Sequence, residues 1–447
     1  MKRRSILKGL ALAPLTNLSG VFGPQPSHGD TTMATGAQPN ADATRTSRSH
    51  IAGMPLAEMR EQYRYDLFDD YVPFWRKSGF DFDLGGFMCA VADDGTQLNT
   101  EKSMWYQGRG LWTHSYLYNH FGGDEHLEMA RLTKEFVIKH GRDAEGNWVS
   151  SMDREGRHTG AADRMGYAAL FLAEGLQEYS KAAGDEEAMD LAIDVFWQGT
   201  ETYNDPARDI EQGYIPISYP GMRVGGFEMV TIVLLNSLLQ KRSDAKLEAR
   251  MSNALENVTE QFWNPEYGLN NEALDYEFNR PDDENEDFMY LGHAIETFWM
   301  ILHEALRRKD KALFDLAAER LKRHMEVAWD DVYGGFFRAM EVNGSYTFDK
   351  VLWLQEEVLI GMMILMEHTD LEWPAWWFDR TFHYVQDKFP LRRHGYPMWI
   401  MGGDRKVTYQ PKTARKGNFH HPRHLMLNLL ALDRMIERNG AVSDTWQ

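Results

Sequence analysis

Residues 85–107 read GGFMCAVADDGTQLNTEKSMWYQ, and residues 334–355 read GGFFRAMEVNGSYTFDKVLWLQ. The two stretches share an order of features. Gly85–Gly86–Phe87 is followed by Asp94–Gly95 and then by Lys102, Trp105 and Gln107; Gly334–Gly335–Phe336 is followed by Asn343–Gly344 and then by Lys350, Trp353 and Gln355. An Asp-Gly or Asn-Gly step between alternating apolar residues is a hairpin signature. Both stretches end in Lys-x-x-Trp-x-Gln. Four more glycine–aromatic pairs, Gly146–Asn147–Trp148, Gly213–Tyr214, Tyr267–Gly268 and Gly395–Tyr396, complete a set of six at intervals of roughly 60 residues.

Between these loops the apolar residues fall at helical spacing. The pattern predicts helices over Leu56–Trp75, Met104–Tyr118, Leu127–Ile138, Tyr167–Tyr179, Ala188–Tyr203 and Val230–Leu239. It continues over Leu247–Phe262, Phe288–Leu306, Leu313–Trp329, Val351–Met366, Trp376–Phe389 and Phe419–Ile436. Short polar breaks such as Phe121–Asp124 alternate with long breaks that carry the glycine–aromatic unit. Helical hairpins with their long loops on one side imply an all-α ring, an (α/α)6 toroid. Helices after the long loops would line it, their first turns facing a shared cleft. An open helical solenoid is the competing architecture. The repeat shows no internal boundary, so residues 53–447 are expected to form one domain.

Charge and composition narrow the partners. The chain of 447 residues carries a net charge of −19. That argues against nucleic acid and against an anionic membrane surface. The single cysteine, Cys89, rules out an internal disulfide and a cysteine-based metal site. Arg3–Arg4 followed by Ile6–Leu7–Lys8 and a short apolar run reads as a twin-arginine export signal, too short for a stable membrane anchor. A Ser/Thr/Gly/Pro-rich linker to about residue 52 follows it. The expectation is therefore a periplasmic or exported protein; the sequence leaves room for a homodimer.

The polar residues in the first turns of the lining helices are the candidates for chemistry. Arg109 shares a helix face with Trp105 and stands among aromatic residues, where a charge without a partner is costly. His293 and Glu296 are three apart, so the carboxylate is expected to orient the imidazole. Trp353, Gln355 and Glu357 occupy the places that Trp105, Gln107 and Arg109 hold in the first copy. The last helix opens Asn418–Phe–His420–His421–Pro–Arg423, and His420 with His424 has the spacing of a zinc pair, although no His-Glu-x-x-His pattern accompanies it. Asp163, Arg164 and Glu228 lie at corresponding places on other helices.

Taken together, Trp105–Tyr–Gln–Gly–Arg109, Gly292–His–Ala–Ile–Glu296, Lys350 to Glu357 and Gly417–Asn–Phe–His–His–Pro–Arg423 resemble the N-acylglucosamine 2-epimerase family. So does Trp377–Phe–Asp–Arg–Thr–Phe with His394–Gly–Tyr–Pro–Met–Trp399. The resemblance implies an (α/α)6 barrel and a cofactor-independent isomerase acting on a small-molecule sugar, with no metal needed. It implies His293 and His420 as bases on opposite faces of carbon 2, Arg109 on the enediolate oxygen and Glu296 behind His293. It further implies sugar contacts from Trp105, Gln107, Glu228, Trp353, Gln355, Glu357 and Arg423. Members include N-acylglucosamine and cellobiose 2-epimerases and aldose–ketose isomerases. The cellobiose branch usually carries a histidine at the start of the sixth helix, where this chain reads Gly225–Gly–Phe–Glu–Met–Val230. Two readings compete: a glycoside hydrolase using opposed carboxylates such as Glu228 and Glu357, and a non-catalytic carbohydrate-binding protein.

Overall fold

The twin stretches fold as twin latches. In the first, Gln107 accepts from the Phe87 amide at 2.7 Å and donates to the Phe87 carbonyl at 2.9 Å and to Ser103 at 3.1 Å. In the second, Gln355 accepts from the Phe336 amide at 2.9 Å and donates to the Phe336 carbonyl at 3.1 Å and to Val351 at 3.3 Å. Buried Lys102 bridges Asp81 at 3.0 Å and the Gly85 carbonyl at 2.7 Å; Lys350 joins Asp330 and the Gly334 carbonyl in the same way. The glycine pairs are required. Gly85, Gly86, Gly334 and Gly335 all have φ between +74° and +88°, and a Cβ on Gly86 would stand 2.6 Å from the Gln107 Oε1. Gln107 and Gln355 were expected to meet sugar. Both amides are instead saturated by loop backbone, which each must close to reach its own helix.

The computed structural model describes residues 47–208, 213–347, 349–392 and 417–446. The export signal, the Gly395–Tyr396 copy and the His394–Trp399 stretch lie outside the described residues. Ser47–Ala52, expected to be linker, belongs to the fold. His50–Ile51 pairs with Met54–Pro55, and the Arg48 amide donates to Gly440 at 2.9 Å. The described residues form one compact unit.

Helix α1 (Leu56–Tyr65) runs through a π-helical turn, Asp66–Tyr71, into α2 (Val72–Ser78). Then come α3 (Met104–Phe121), α4 (Asp124–His140), α5 (Tyr167–Ala183) and α6 (Glu186–Tyr203). Helices α7 (Gly225–Leu239), α8 (Ala245–Glu256), α9 (Leu291–Arg308) and α10 (Lys311–Ala328) follow. The last are α11 (Leu352–His368), α12 (Trp373–Lys388) and α13 (His420–Glu437). Counting α1, the π turn and α2 as one rod gives, among the described residues, the twelve expected.

Helices α3, α5, α7, α9, α11 and α13 each pack against their neighbours in that order and form an inner ring. The others back them from outside. Burial follows this division: α5 and α11 are buried on all faces, whereas α4 buries the spaced set Met129, Ala130, Thr133, Phe136 and Val137. Outer helices start sharply because Asp185, Asp244 and Asp310 cap α6, α8 and α10 by accepting from backbone amides, each worth about 1 kcal/mol. Inner α3 and α5 touch backbone to backbone. A Cβ on Gly108 would lie 2.4 Å from the Phe171 carbonyl carbon. The ring closes where α13 meets α3. Thr113 donates to the Asn418 carbonyl at 2.9 Å, and Asn418 donates to the Tyr106 carbonyl at 3.0 Å. A solenoid would leave those ends apart. Among the described residues no helix is long and apolar enough to cross a membrane.

Candidate active site

The first turn of every inner helix gives one residue to a common ring of contacts. Trp105 of α3 lies 5.3 Å, centroid to centroid, from Tyr167 of α5. A Cβ on Gly226 of α7 would stand 2.4 Å from the Tyr167 hydroxyl and 2.9 Å from Nδ1 of His293 on α9. The His293 ring is 6.1 Å from Trp353 of α11, which is 5.3 Å from His420 of α13. Phe419 packs on His420, and Arg109 lies 4.8 Å from the Phe419 ring and 4.6 Å from Trp105, closing the circuit. The six helix N-termini thus surround one cup and give it the positive end of six dipoles.

The two imidazoles are held alike. Nδ1 of His293 is 2.8 Å from Oε1 of Glu272, which also accepts from the Tyr214 hydroxyl at 3.1 Å and the Gly226 amide at 3.4 Å. Nδ1 of His420 is 2.8 Å from Oε1 of Glu357, whose Oε2 accepts from the Trp299 indole at 2.7 Å. A carboxylate on Nδ1 fixes that nitrogen as the donor and leaves Nε2 with the lone pair. Side-chain exposures of 17% for His293 and 13% for His420 keep both rings reachable. Burial, with Arg109 and Arg423 nearby, holds the His420 imidazole well below the usual histidine range, so it is neutral near pH 7.

Arg109 is clamped by aromatic faces, with its guanidinium carbon also 4.2 Å from the Phe171 ring. Burial brings its pKa down to about 10, which leaves it charged. It has no carboxylate partner within ion-pair distance among the described residues, so its charge is open to a ligand. Trp105 supports Arg109; Trp353 lies between the two imidazoles.

Several partners differ from the sequence expectation. Glu296 does not hold His293. It accepts from Arg423 and stands 3.9 Å from Nδ1 of His420. Arg423 also donates to Glu357 at 2.7 Å, so its charge is spent inside the wall and not on a sugar. Glu357 positions His420 rather than meeting a hydroxyl. Glu228 accepts from Arg250 at 2.6 Å and Asn257 at 3.0 Å, between α7 and the outer layer, and does not face Glu357 across the cup.

Sequence reading missed two acids. Glu272 follows the Tyr267–Gly268 pair, in the bend just after the return strand Leu269–Asn270; that placement after a glycine–aromatic unit was the signal. Glu174 interrupts the apolar run of α5. Burial pushes its pKa up to about 7, against the pull of Arg423 and Arg109. A cavity of about 530 Å³ lies elsewhere, lined by Arg142, Trp148, Asp163, Gln198 and Arg208. None of the cup residues borders it; in the cup a neutral base, held carboxylates and a cation without a carboxylate partner among the described residues converge.

Residues 85–424 match the family model described as N-acylglucosamine 2-epimerase (GlcNAc 2-epimerase). The chain is similar to the N-acylglucosamine 2-epimerase of Bos taurus, 24% identical over 394 residues, covering 84% of this chain and 92% of that one. It is similar to the cellobiose 2-epimerase of Bacteroides fragilis, 23% identical over 348 residues, covering 69% and 82%. The structure of cellobiose 2-epimerase from Bacillus thermoamylovorans superposes with a TM-score of 0.73 at 19% identity, covering 85% of this chain and 100% of that one. The chain belongs to the N-acylglucosamine 2-epimerase family and is an enzyme of the sugar epimerase and isomerase class.

Proposed function

We propose that this enzyme inverts carbon 2 of an open-chain sugar of the N-acylglucosamine type by two-histidine proton transfer. The observation that carries this reading is the matched pair of imidazoles, each with Nδ1 on a carboxylate at 2.8 Å and both packed on Trp353. Neutral His420 takes the proton from carbon 2 through Nε2. The C–H electrons form the C1–C2 double bond of an enolate, and the carbonyl electrons move onto the C1 oxygen. Arg109 and the helix N-termini stabilise that oxygen as its charge develops, without reorganising. His293, held by Glu272, returns a proton to the other face and gives the inverted sugar. On an aldose with a hydroxyl at carbon 2, where the intermediate is an enediolate, moving the O2 proton to O1 and returning the other proton to carbon 1 gives a ketose, so aldose–ketose isomerisation is the alternative outcome. The first turn of α7, Gly225–Gly–Phe–Glu228, carries no histidine, and this supports the N-acylglucosamine reading over the cellobiose one.

The test is proton exchange in deuterated water, followed by NMR over a panel of aldoses and N-acylhexosamines. Wild type should incorporate deuterium at carbon 2. His293→Gln and His420→Gln should each lower the rate by about 10²- to 10⁴-fold, the usual contribution of a positioned acid or base. Exchange that persists in both variants, or hydrolysis of an oligosaccharide that survives them, would sink the proposal.

A further inference from the structure

Two carboxylate–imidazole triads lie side by side along α11 and α13. Glu296, Glu357 and His420 form one; Glu356, His421 and His424 form the other, and within each the donor atoms lie within 4.8 Å of one another. They differ in what stands among the donors. In the first, Nη2 of Arg423 is 2.7 Å from Glu357, 3.2 Å from His420 Nδ1 and hydrogen-bonded to Glu296. A guanidinium already fills the cation's place. In the second, the ion-pair partners of Glu356 among the described residues are the two imidazoles.

The second triad has the features of a metal site. Oε1 of Glu356 meets Nδ1 of His421 and lies 3.5 Å from Nδ1 of His424. Donors at zinc bond lengths in a tetrahedron stand about 3.4 Å apart. Oε2 of Glu356 is buried without a hydrogen-bond partner, so the carboxylate is not committed elsewhere in the wall. Nδ1 of His424 is likewise buried and unsatisfied. Beyond the donors, Nε2 of His424 is 2.9 Å from the Tyr63 hydroxyl, to which Asn428 donates at 3.1 Å. That is the outer-shell support that orients a ligating imidazole. Two imidazoles and a carboxylate are a borderline donor set suited to zinc rather than calcium or magnesium.

We propose that Glu356, His421 and His424 bind a structural divalent ion of the zinc class, bolting α11 to α13 directly behind the cup. Uptake opens the His421–Glu356 contact and releases the proton held between them. The ion touches no substrate. It fixes the spacing of the two helices whose next residues, Glu357 and His420, do the chemistry.

The test uses untagged full-length protein, loaded with zinc and dialysed, with metal measured by mass spectrometry. About one ion per chain is expected. Cobalt should replace it, with visible d–d absorption that saturates at one equivalent. Glu356→Gln and His424→Gln should lose both signals, while His420→Gln, in the neighbouring triad, should keep them. Zinc should raise the melting temperature of wild type and not of the two variants. Loaded wild type holding far less than one equivalent would overturn the proposal, whether or not the variants fold. Variants that fold and retain the metal would overturn it too. Either result stands apart from epimerase activity, which the metal count does not read.

Discussion

Each cup imidazole commits one nitrogen to a carboxylate, and the two carboxylates come from unlike places: Glu272 from a loop, Glu357 from a helix. The sequence made His293, His420 and Arg109 visible, since a base or a cation inside an apolar, aromatic segment needs a reason to be there. It did not make their partners visible. Glu296 is three residues from His293 on the same helix, yet Arg423 draws its carboxylate inward. The loop residue Glu272, 21 positions from His293, takes the imidazole instead. Glu272→Gln therefore should lower kcat on the order of 10²-fold, at the small end of a positioned proton transfer, with KM and melting temperature nearly unchanged. The pH profile should also move, because the charge opposite His293 is gone. Steady-state kinetics across pH decides; an effect confined to KM would mean that Glu272 binds sugar rather than holds the base.

The glycine–aromatic unit works at the level of the loop and the helix it precedes. Lys-x-x-Trp-x-Gln was legible as a repeat, and its meaning was not. A glutamine in the first turn beside a cleft looks like a ligand-binding amide. Its atoms are in fact used to seal a loop turn whose glycines take positive φ, and the aspartates four residues ahead, Asp81 and Asp330, anchor the lysines. Gln355→Leu should leave the buried Phe336 amide and carbonyl without partners, costing about 1–3 kcal/mol each before any relaxation. Urea unfolding should show that loss. Activity should fall with it, because Trp353 between the two bases is carried on the same turn. A variant of normal stability with only a raised KM would restore the sugar-binding role.

Acid sensitivity is a property of the whole barrel. His324 is fully buried; its Nε2 accepts from the Asn270 amide at 2.9 Å and its Nδ1 donates to the Arg320 carbonyl at 2.8 Å. Both nitrogens are occupied in the neutral form, and burial pushes the pKa down to about 4. The unfolded chain, with an ordinary pKa near 6.5, binds more protons across that window. Stability is thus full above pH 6.5 and is lost as pH falls toward 4, by about 3 kcal/mol for this group. His114 and His420, also held low by burial, act in the same direction. Glu174, raised to about 7, acts oppositely between pH 4.5 and 7. Urea midpoints should fall between pH 6.5 and 4.5, and His324→Gln, which can keep both hydrogen bonds, should flatten the slope. An unchanged slope in that variant would remove His324 from the account. Asn270 lies two residues before Glu272, so protonating His324 also loosens the loop that holds His293. At every scale the sequence by itself determined what is local or periodic: twelve helices, the alternation of short and long loops, and the rare polar residues in the inner first turns. Periodicity is written along the chain, and neighbours one turn apart are read directly from spacing. The tertiary structure alone decided which carboxylate holds which base. Those pairings join residues 21 and 63 positions apart, and competition among buried charges selects them only once the ring has brought them together.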